Sequence, residues 1–176
     1  MILGLDISTS ITGATVLDEN GTCVYNEFWD TRNKNKFPTH FDKARFLRQK
    51  LQEIKTKFKI KTTYIEKPFM FFNSGGSTAK TMSSLQNYNG MISWICSDTF
   101  SSDPNYLTAS EARKHVGIKV VRGENSKQKS FNFVVASEPT FVVEYTRNGN
   151  VKPGIMDKSD SWVIAKAGYN LCTVKN

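Results

Sequence analysis

Three extended runs joined by short turns open this chain, and after them extended runs alternate with amphipathic helices. That order restricts the fold more than any other feature of the sequence. Ile2 to Ile7 is apolar and is followed by Ser8, Thr9 and Ser10. Thr12 to Leu17 alternates with β-branched residues, Asn20-Gly21 is a hairpin turn signal, and Thr22 to Trp29 is extended again. The pattern predicts an antiparallel meander of three strands. A polar, basic loop over Asp30 to Pro38 follows. Thr39 then stands as an N-cap before Phe41, Ala44, Leu47, Leu51, Ile54 and Phe58, an apolar stripe at helical spacing. Lys43, Arg45, Arg48, Lys50, Lys55 and Lys57 take the opposite face. Thr62 to Glu66 predicts a strand stopped by Pro68. A loop rich in aromatics and glycine spans Phe69 to Ser77. Ser77 or Thr78 can cap a helix reaching Cys96, with Met82, Leu85, Tyr88, Met91, Ile92 and Ile95 as its apolar set.

Beyond it, Asn105 to Thr108 is a short strand, and Ser110 caps a helix ending near His115. A basic loop, Lys119 to Asn125, precedes a helix over Ser126 to Ser137 that Pro139 ends. Thr140 to Thr146 has extended character, with Asn148-Gly149 as a turn, and a last helix runs from about Asp157 to Asn170. The order β-β-β-α-β-α-β-α-α-β-α predicts an α/β fold, a mixed sheet with helices on both faces.

The 176 residues suit a single domain, and no apolar run approaches a membrane span. The opening Met-Ile-Leu-Gly-Leu-Asp lacks the parts of a signal peptide and is expected to be the first strand. A formal charge of +8 makes a polyanion, nucleic acid first, the expected partner, with no role at a membrane. Cys23, Cys96 and Cys172 are odd in number and far apart, with no Cys-x-x-Cys pair. They read as small core hydrophobes in a cytoplasmic protein.

In so basic a chain the placing of a few carboxylates stands out. Asp6 follows Ile-Leu-Gly-Leu, where a carboxylate is costly to bury unless paired or bound to a metal. Glu66 ends a strand. Asp157 and Asp160, three apart, share one face of a helix. In an α/β sheet such strand ends and helix starts meet at one rim. Four acids there repel unless divalent cations neutralise them, and hard oxygen ligands suit Mg²⁺ or Mn²⁺. Each acid also has an ordinary explanation. Asp157 and Asp160 can form a capping box, and Glu66 can pair with Lys61 or Lys67.

Three blocks resemble the RuvC-type Holliday-junction resolvases, a branch of the ribonuclease H-like superfamily. They are Ile2-Leu-Gly-Leu-Asp6 with Gly13, Ile65-Glu66-Lys67-Pro68-Phe69-Met70 with Asn73 and Ser77, and Asp157-Lys-Ser-Asp160. A weaker fourth block runs from Thr108 to Gly117 and continues at Lys127-Gln-Lys129. The resemblance implies a ribonuclease H-like mixed five-stranded sheet in one nuclease domain over 1–176. It implies that Asp6, Glu66, Asp157 and Asp160 hold two Mg²⁺ or Mn²⁺ ions. It further implies that Lys127, with Lys129 as rival, assists at the scissile phosphate. Phe69 matches an aromatic that wedges into a junction, with Phe71 and Phe72 as rivals, and the long helix after it matches the one on which two subunits pair. Met82 and Trp94 widen that helix's apolar stripe accordingly. The chain departs from the family at Ile7-Ser8-Thr9-Ser10, where Pro-Gly is usual, at Ser161, where Ala is usual, and in an apparent insertion over Phe141 to Gly154. These departures mark a divergent member, with a viral source as one reading, in which case the setting is the host cytoplasm.

On this reading the chain is a metal-dependent endonuclease that cuts four-way or other branched DNA as a homodimer, leaving 5′-phosphate and 3′-hydroxyl ends. Arg32, Lys34, Lys36, Arg113, Lys114, Lys119, Arg122 and Lys129 are the candidate phosphate contacts. Two other classes compete. Gly4 to Gly13 also resembles the first phosphate loop of actin-like and sugar-kinase ATPases, although those enzymes need two such domains. A non-catalytic junction-binding protein on the same fold is the other. A nucleophilic triad is poorly supported, because His40 and His115 are the only histidines and no Gly-x-Ser-x-Gly elbow exists.

Overall fold

The computed structural model describes residues 1–68 and 79–173. Five strands form one sheet: β1 (Ile2–Asp6), β2 (Ile11–Leu17), β3 (Cys23–Asp30), β4 (Thr62–Glu66) and β5 (Asn105–Leu107). The spatial order is β3-β2-β1-β4-β5. The first three strands pair antiparallel, while β1–β4 and β4–β5 are parallel, so the sheet is mixed as expected. The helices are α1 (His40–Lys57), α2 (Ala79–Phe100), α3 (Ala109–Val116), α4 (Ser126–Ser137) and α5 (Ile155–Thr173). None is long and apolar enough to cross a membrane among the described residues.

The twofold alternation of β1 sorts the two faces. Leu3 and Leu5 point into one core with Ala44, Leu47, Leu51 and Ile54 of α1 and Tyr88, Ile92, Ile95 and Cys96 of α2. Ile2 joins a second core with Ala112 of α3, Phe131 and Val134 of α4, and Trp162, Val163 and Ile164 of α5. Gly4 faces α5 so closely that a Cβ there would fall 2.4 Å from the Ala165 nitrogen. Helix α5 thus lies almost on the backbone of the sheet.

Local signals account for most element ends. Thr39 and Asp42 form a reciprocal capping box at α1. Phe41, counted in the apolar stripe, is 63% exposed, because the first turn of α1 has not yet reached the sheet. The cap of α3 is Thr108, not Ser110: its side chain accepts from the Glu111 amide while Glu111 reaches back to the Thr108 amide. Helix α5 begins two residues before Asp157, which excludes the capping-box explanation of Asp157 and Asp160. Lys61 pairs with Glu19 at 2.6 Å and so does not neutralise Glu66. The sixth extended segment, Thr140 to Thr146, is not a sheet strand. Among the described residues it pairs only with its own return limb, at the isolated bridge Tyr145–Val151. All three cysteines are free, and burial pushes the Cys96 thiol up to about 12. Phe69, Phe71, Phe72, Asn73, Ser77 and Thr78 lie outside the described residues.

Candidate active site

Asp6 and Glu66 end two neighbouring parallel strands whose register runs through Leu5–Ile65, so the two acids stand side by side at the strands' carboxyl ends. Adjacent strands are about 4.8 Å apart. Open α/β sheets bind their ligands at this edge. Gly13, opposite Asp6 on β2, has no side chain and admits the Asp157 carbonyl against the strand: a Cβ on Gly13 would lie 1.9 Å from that oxygen. The close approach sets the first turns of α5, with Asp157 and Asp160, over the ends of β1 and β2.

A cavity of about 260 Å³ opens there. It is lined by Asp6, Glu66 and Asp160, by Lys127 at the start of α4, by Arg113 of α3, and by Ser126 and Ser130. Asn125 caps α4, its side chain accepting from the Lys127 and Gln128 amides, and this aims Lys127 inward. The Lys127 ammonium lies 3.1 Å from Asp160 Oδ2. Lys129, its rival, is held instead by Glu124 at 2.6 Å, on an open groove with Lys119, so of the two only Lys127 reaches the acids.

The electrostatics follow from crowding. Burial and then the charge of Glu66 raise the Asp6 carboxyl well above its usual range, with Asp160 and Asp157 adding to the effect. Burial and Asp160 bring Glu66 to about 7. Asp160 and Asp157 are raised by burial, against the pull of Lys127. Burial, the largest single influence, works to lower Lys127, but the charge and hydrogen bond of Asp160 with the charges of Asp157 and Asp6 together leave the ammonium above its usual range. The cavity thus gathers Asp6, Glu66 and Asp160 with the cations Lys127 and Arg113, while Asp157, outside the lining, still acts on Asp6 and Lys127 by its charge.

That donor set, all hard oxygens, fits a divalent cation in kind. Among the described residues no three His, Cys, Asp or Glu side chains stand close enough to hold an ion as they are.

Two residues absent from the sequence reading, Thr15 and Asn26, join Ser161 in fixing α5. Asn26 Nδ2 donates to Thr15 Oγ1 at 2.6 Å and to the Lys158 carbonyl at 3.1 Å. Ser161 Oγ donates to the same carbonyl at 2.9 Å and lies 2.8 Å from Thr15 Oγ1. Thr15 and Ser161 are fully buried. Ser161, where the resembled resolvases usually carry alanine, is the hint of this network that the sequence offers. Thr15→Val should cost about 1–3 kcal/mol, because it strips partners from Asn26 and Ser161. Adding Ser161→Ala should cost less than the two single changes summed. Additive losses in thermal melts would show the groups to be uncoupled.

The other candidate contacts scatter around this edge. Arg32 and Lys36 line an open depression after β3, where Asp30 grips the Arg32 guanidinium at 2.6 Å. Lys34, Lys114 and Arg122 are exposed and make no ion pair among the described residues.

With this geometry in hand, the comparisons with known proteins divide sharply. No protein-family model matches the chain, and no curated protein sequence does. Solved structures do match. Thermus thermophilus RuvC superposes with a TM-score of 0.66 at 11% identity, over 99% of this chain and 96% of that one. T. thermophilus RuvC in complex with a Holliday-junction substrate gives 0.64 at 10%, over 98% and 94%. The yeast mitochondrial Holliday-junction resolvase Ydc2 gives 0.58 at 13%, over 96% and 77%. The chain therefore has the RuvC-like, ribonuclease H-like fold.

Proposed function

We propose that this chain is a structure-selective, metal-dependent endonuclease that resolves Holliday junctions or other branched DNA, with 1–176 as a single nuclease domain. The observation that carries the reading is the gathering of Asp6, Glu66 and Asp160 with Lys127 around one cavity at the carboxyl edge of a RuvC-like sheet. The fold match to two junction resolvases, one of them solved with its substrate, supports it.

Asp6, Glu66, Asp157 and Asp160 would hold two Mg²⁺ or Mn²⁺ ions. When bound, the ions supply positive charge that polarises a phosphodiester and acidifies water. Lys127 and Arg113 bring cationic groups to the same cavity and would orient the scissile phosphate. A water oxygen bonds to phosphorus, the bond to the 3′ oxygen breaks, and the departing oxygen takes a proton. The ends are then 5′-phosphate and 3′-hydroxyl.

A four-way junction offers two equivalent strands, which a twofold dimer can cut together. The outward face of α2 supports such pairing: Trp94 is 62% exposed, and a Cβ on Gly90 would meet no atom within 4 Å.

The test is a labelled four-way junction incubated with Mg²⁺ or Mn²⁺, beside flap and Y-shaped substrates. The wild-type chain should cut in pairs of symmetric positions. Asp6→Asn should lower cleavage by at least about 10³-fold and still bind the junction. Unaltered cleavage by Asp6→Asn would remove this cavity from the reaction.

A further inference from the structure

The segment over 141–154, an insertion relative to the family the sequence resembles, folds back on itself as a short hairpin. Phe141 at its base is buried and packs edge-on against Phe131 of α4, with ring centroids 6.2 Å apart. The limbs are tied by Thr146 N to Asn150 O at 2.7 Å and Lys152 N to Glu144 O at 2.9 Å. The Asn-Gly turn closes with Gly149 N to Thr146 O at 3.0 Å. The return limb ends at Gly154, which lies so close on Phe28 that a Cβ would fall 2.4 Å from the ring.

The sheet register places that base. Phe28 pairs with Gly13, and Gly13 pairs with Asp6. Two strand spacings, roughly 10 Å, separate the Phe28 row from the first acid of the candidate site. The return limb therefore ends on the β3 side of the sheet, about two strand spacings from Asp6, and leads directly into the helix that carries Asp157 and Asp160.

What the hairpin exposes does not serve its own folding. Val142 is 63% exposed and Tyr145 58%. Arg147 is exposed at the turn, and its side chain makes no hydrogen bond or ion pair among the described residues. Lys152 is engaged by Glu144 at 2.8 Å, and Lys158 lies over the Phe141 ring at 5.4 Å. Within 141–154 the charges are Arg147 and Lys152 against Glu144, and with Lys152 paired to Glu144 the excess is Arg147.

We propose that this hairpin is a second DNA contact, separate from the acid-lined cavity, that receives the arm of a branched substrate leaving the cavity on the β3 side. Tyr145 and Val142 pack against sugars and base edges, and Arg147 holds a phosphate. The inference rests on the nuclease reading above. A second copy of the chain is the weaker occupant. A stable protein interface takes about 800 Å² from each partner. Two exposed side chains, with the half-buried Val143 and the charged Glu144 between them, supply a fraction of that, and they sit beside an unpaired cation.

The test measures junction binding by anisotropy over a range of salt, in an Asp6→Asn background so that the DNA stays intact. Tyr145→Ala with Arg147→Gln should weaken binding to the four-way junction by about 10- to 100-fold. Arg147→Gln alone should reduce the slope of log affinity against log salt by about 0.9. With Asp6 restored, cleavage at saturating DNA should stay within about twofold of wild type, and the sedimenting mass should be unchanged. Affinity and salt slope equal to the parent's would overturn the proposal. So would a change in mass with affinity intact, which would assign the patch to a second copy. A wild-type chain, Asp6 intact, that binds junctions but never cuts them would sink the nuclease reading alone and leave the hairpin contact standing.

Discussion

Glu66→Gln should make the metal-free protein more stable near pH 8 while abolishing cleavage. In the folded chain, burial and Asp160 raise Glu66 from its ordinary 4.5 to about 7. Between those values the folded state keeps a proton that the unfolded chain has lost. Stability therefore falls as pH rises through that window, and the loss is complete above the folded value. At 1.36 kcal/mol per unit the shift corresponds to roughly 3 kcal/mol, shared with the acids that crowd it. Glutamine cannot ionise and avoids this loss. The variant's melting midpoint near pH 8 should rise by several degrees, and its fall between about pH 5 and pH 8 should be shallower. Adding Mg²⁺ or Mn²⁺ should stabilise the wild type strongly and Glu66→Gln weakly, because a cation between the carboxylates removes the same repulsion. Equal melting points and equal pH slopes for the two proteins would show that the acids do not strain the fold, and the case for a cation-demanding cluster would go with them.

Gly13→Ala should have the largest effect in the opposite direction. The new methyl would be placed 1.9 Å from the Asp157 carbonyl oxygen and 3.0 Å from Ser161 Cβ. The obstacle is backbone at the start of α5 and cannot turn aside as a flexible side chain does. Overpacking of this kind costs about 3 kcal/mol, the upper end of its usual range. For a chain of this length that lowers the melting midpoint by about 6–12 °C. Relief would come from moving the first turn of α5 outward, which carries Asp157 and Asp160 away from Asp6. Cleavage should then fall further than the loss of folded protein explains. Circular dichroism melts and single-turnover cleavage of the junction read the two effects separately. A variant that melts and cuts like wild type would mean that α5 is not held where Gly13 admits it.

The meander, the alternation that follows it and the first helix cap were legible in the sequence because their causes are local. Asn20-Gly21 makes a turn wherever it stands between extended runs, and Thr39 with Asp42 caps a helix from within four residues. Thr140 to Thr146 misled for the complementary reason. Its β-branched residues favour extended backbone, but a strand also needs a partner in the sheet, and composition does not supply one. The same limit applied to Ser110, whose position suited a cap that Thr108 and Glu111 fill together.

For the site, residue types were enough to mark Asp6 as an acid in a costly position and to set Glu66, Asp157 and Asp160 beside it at strand and helix ends, while Lys127, with Lys129 as its rival, came only from the resemblance. The sequence alone determined the order of elements up to the segment Thr140 to Thr146, the sheet class and which carboxylates stand at strand and helix ends. Only the tertiary structure decided that Lys127 and not Lys129 reaches Asp160, that Asn26 and Thr15 anchor α5, and that Gly13 leaves room for Asp157. Those facts join residues more than 30 to more than 140 positions apart in the chain. Turns and caps are fixed by neighbours along the polypeptide. Which groups meet at the cavity depends on how α4 and α5 pack across the sheet, and that packing is set by the whole core at once.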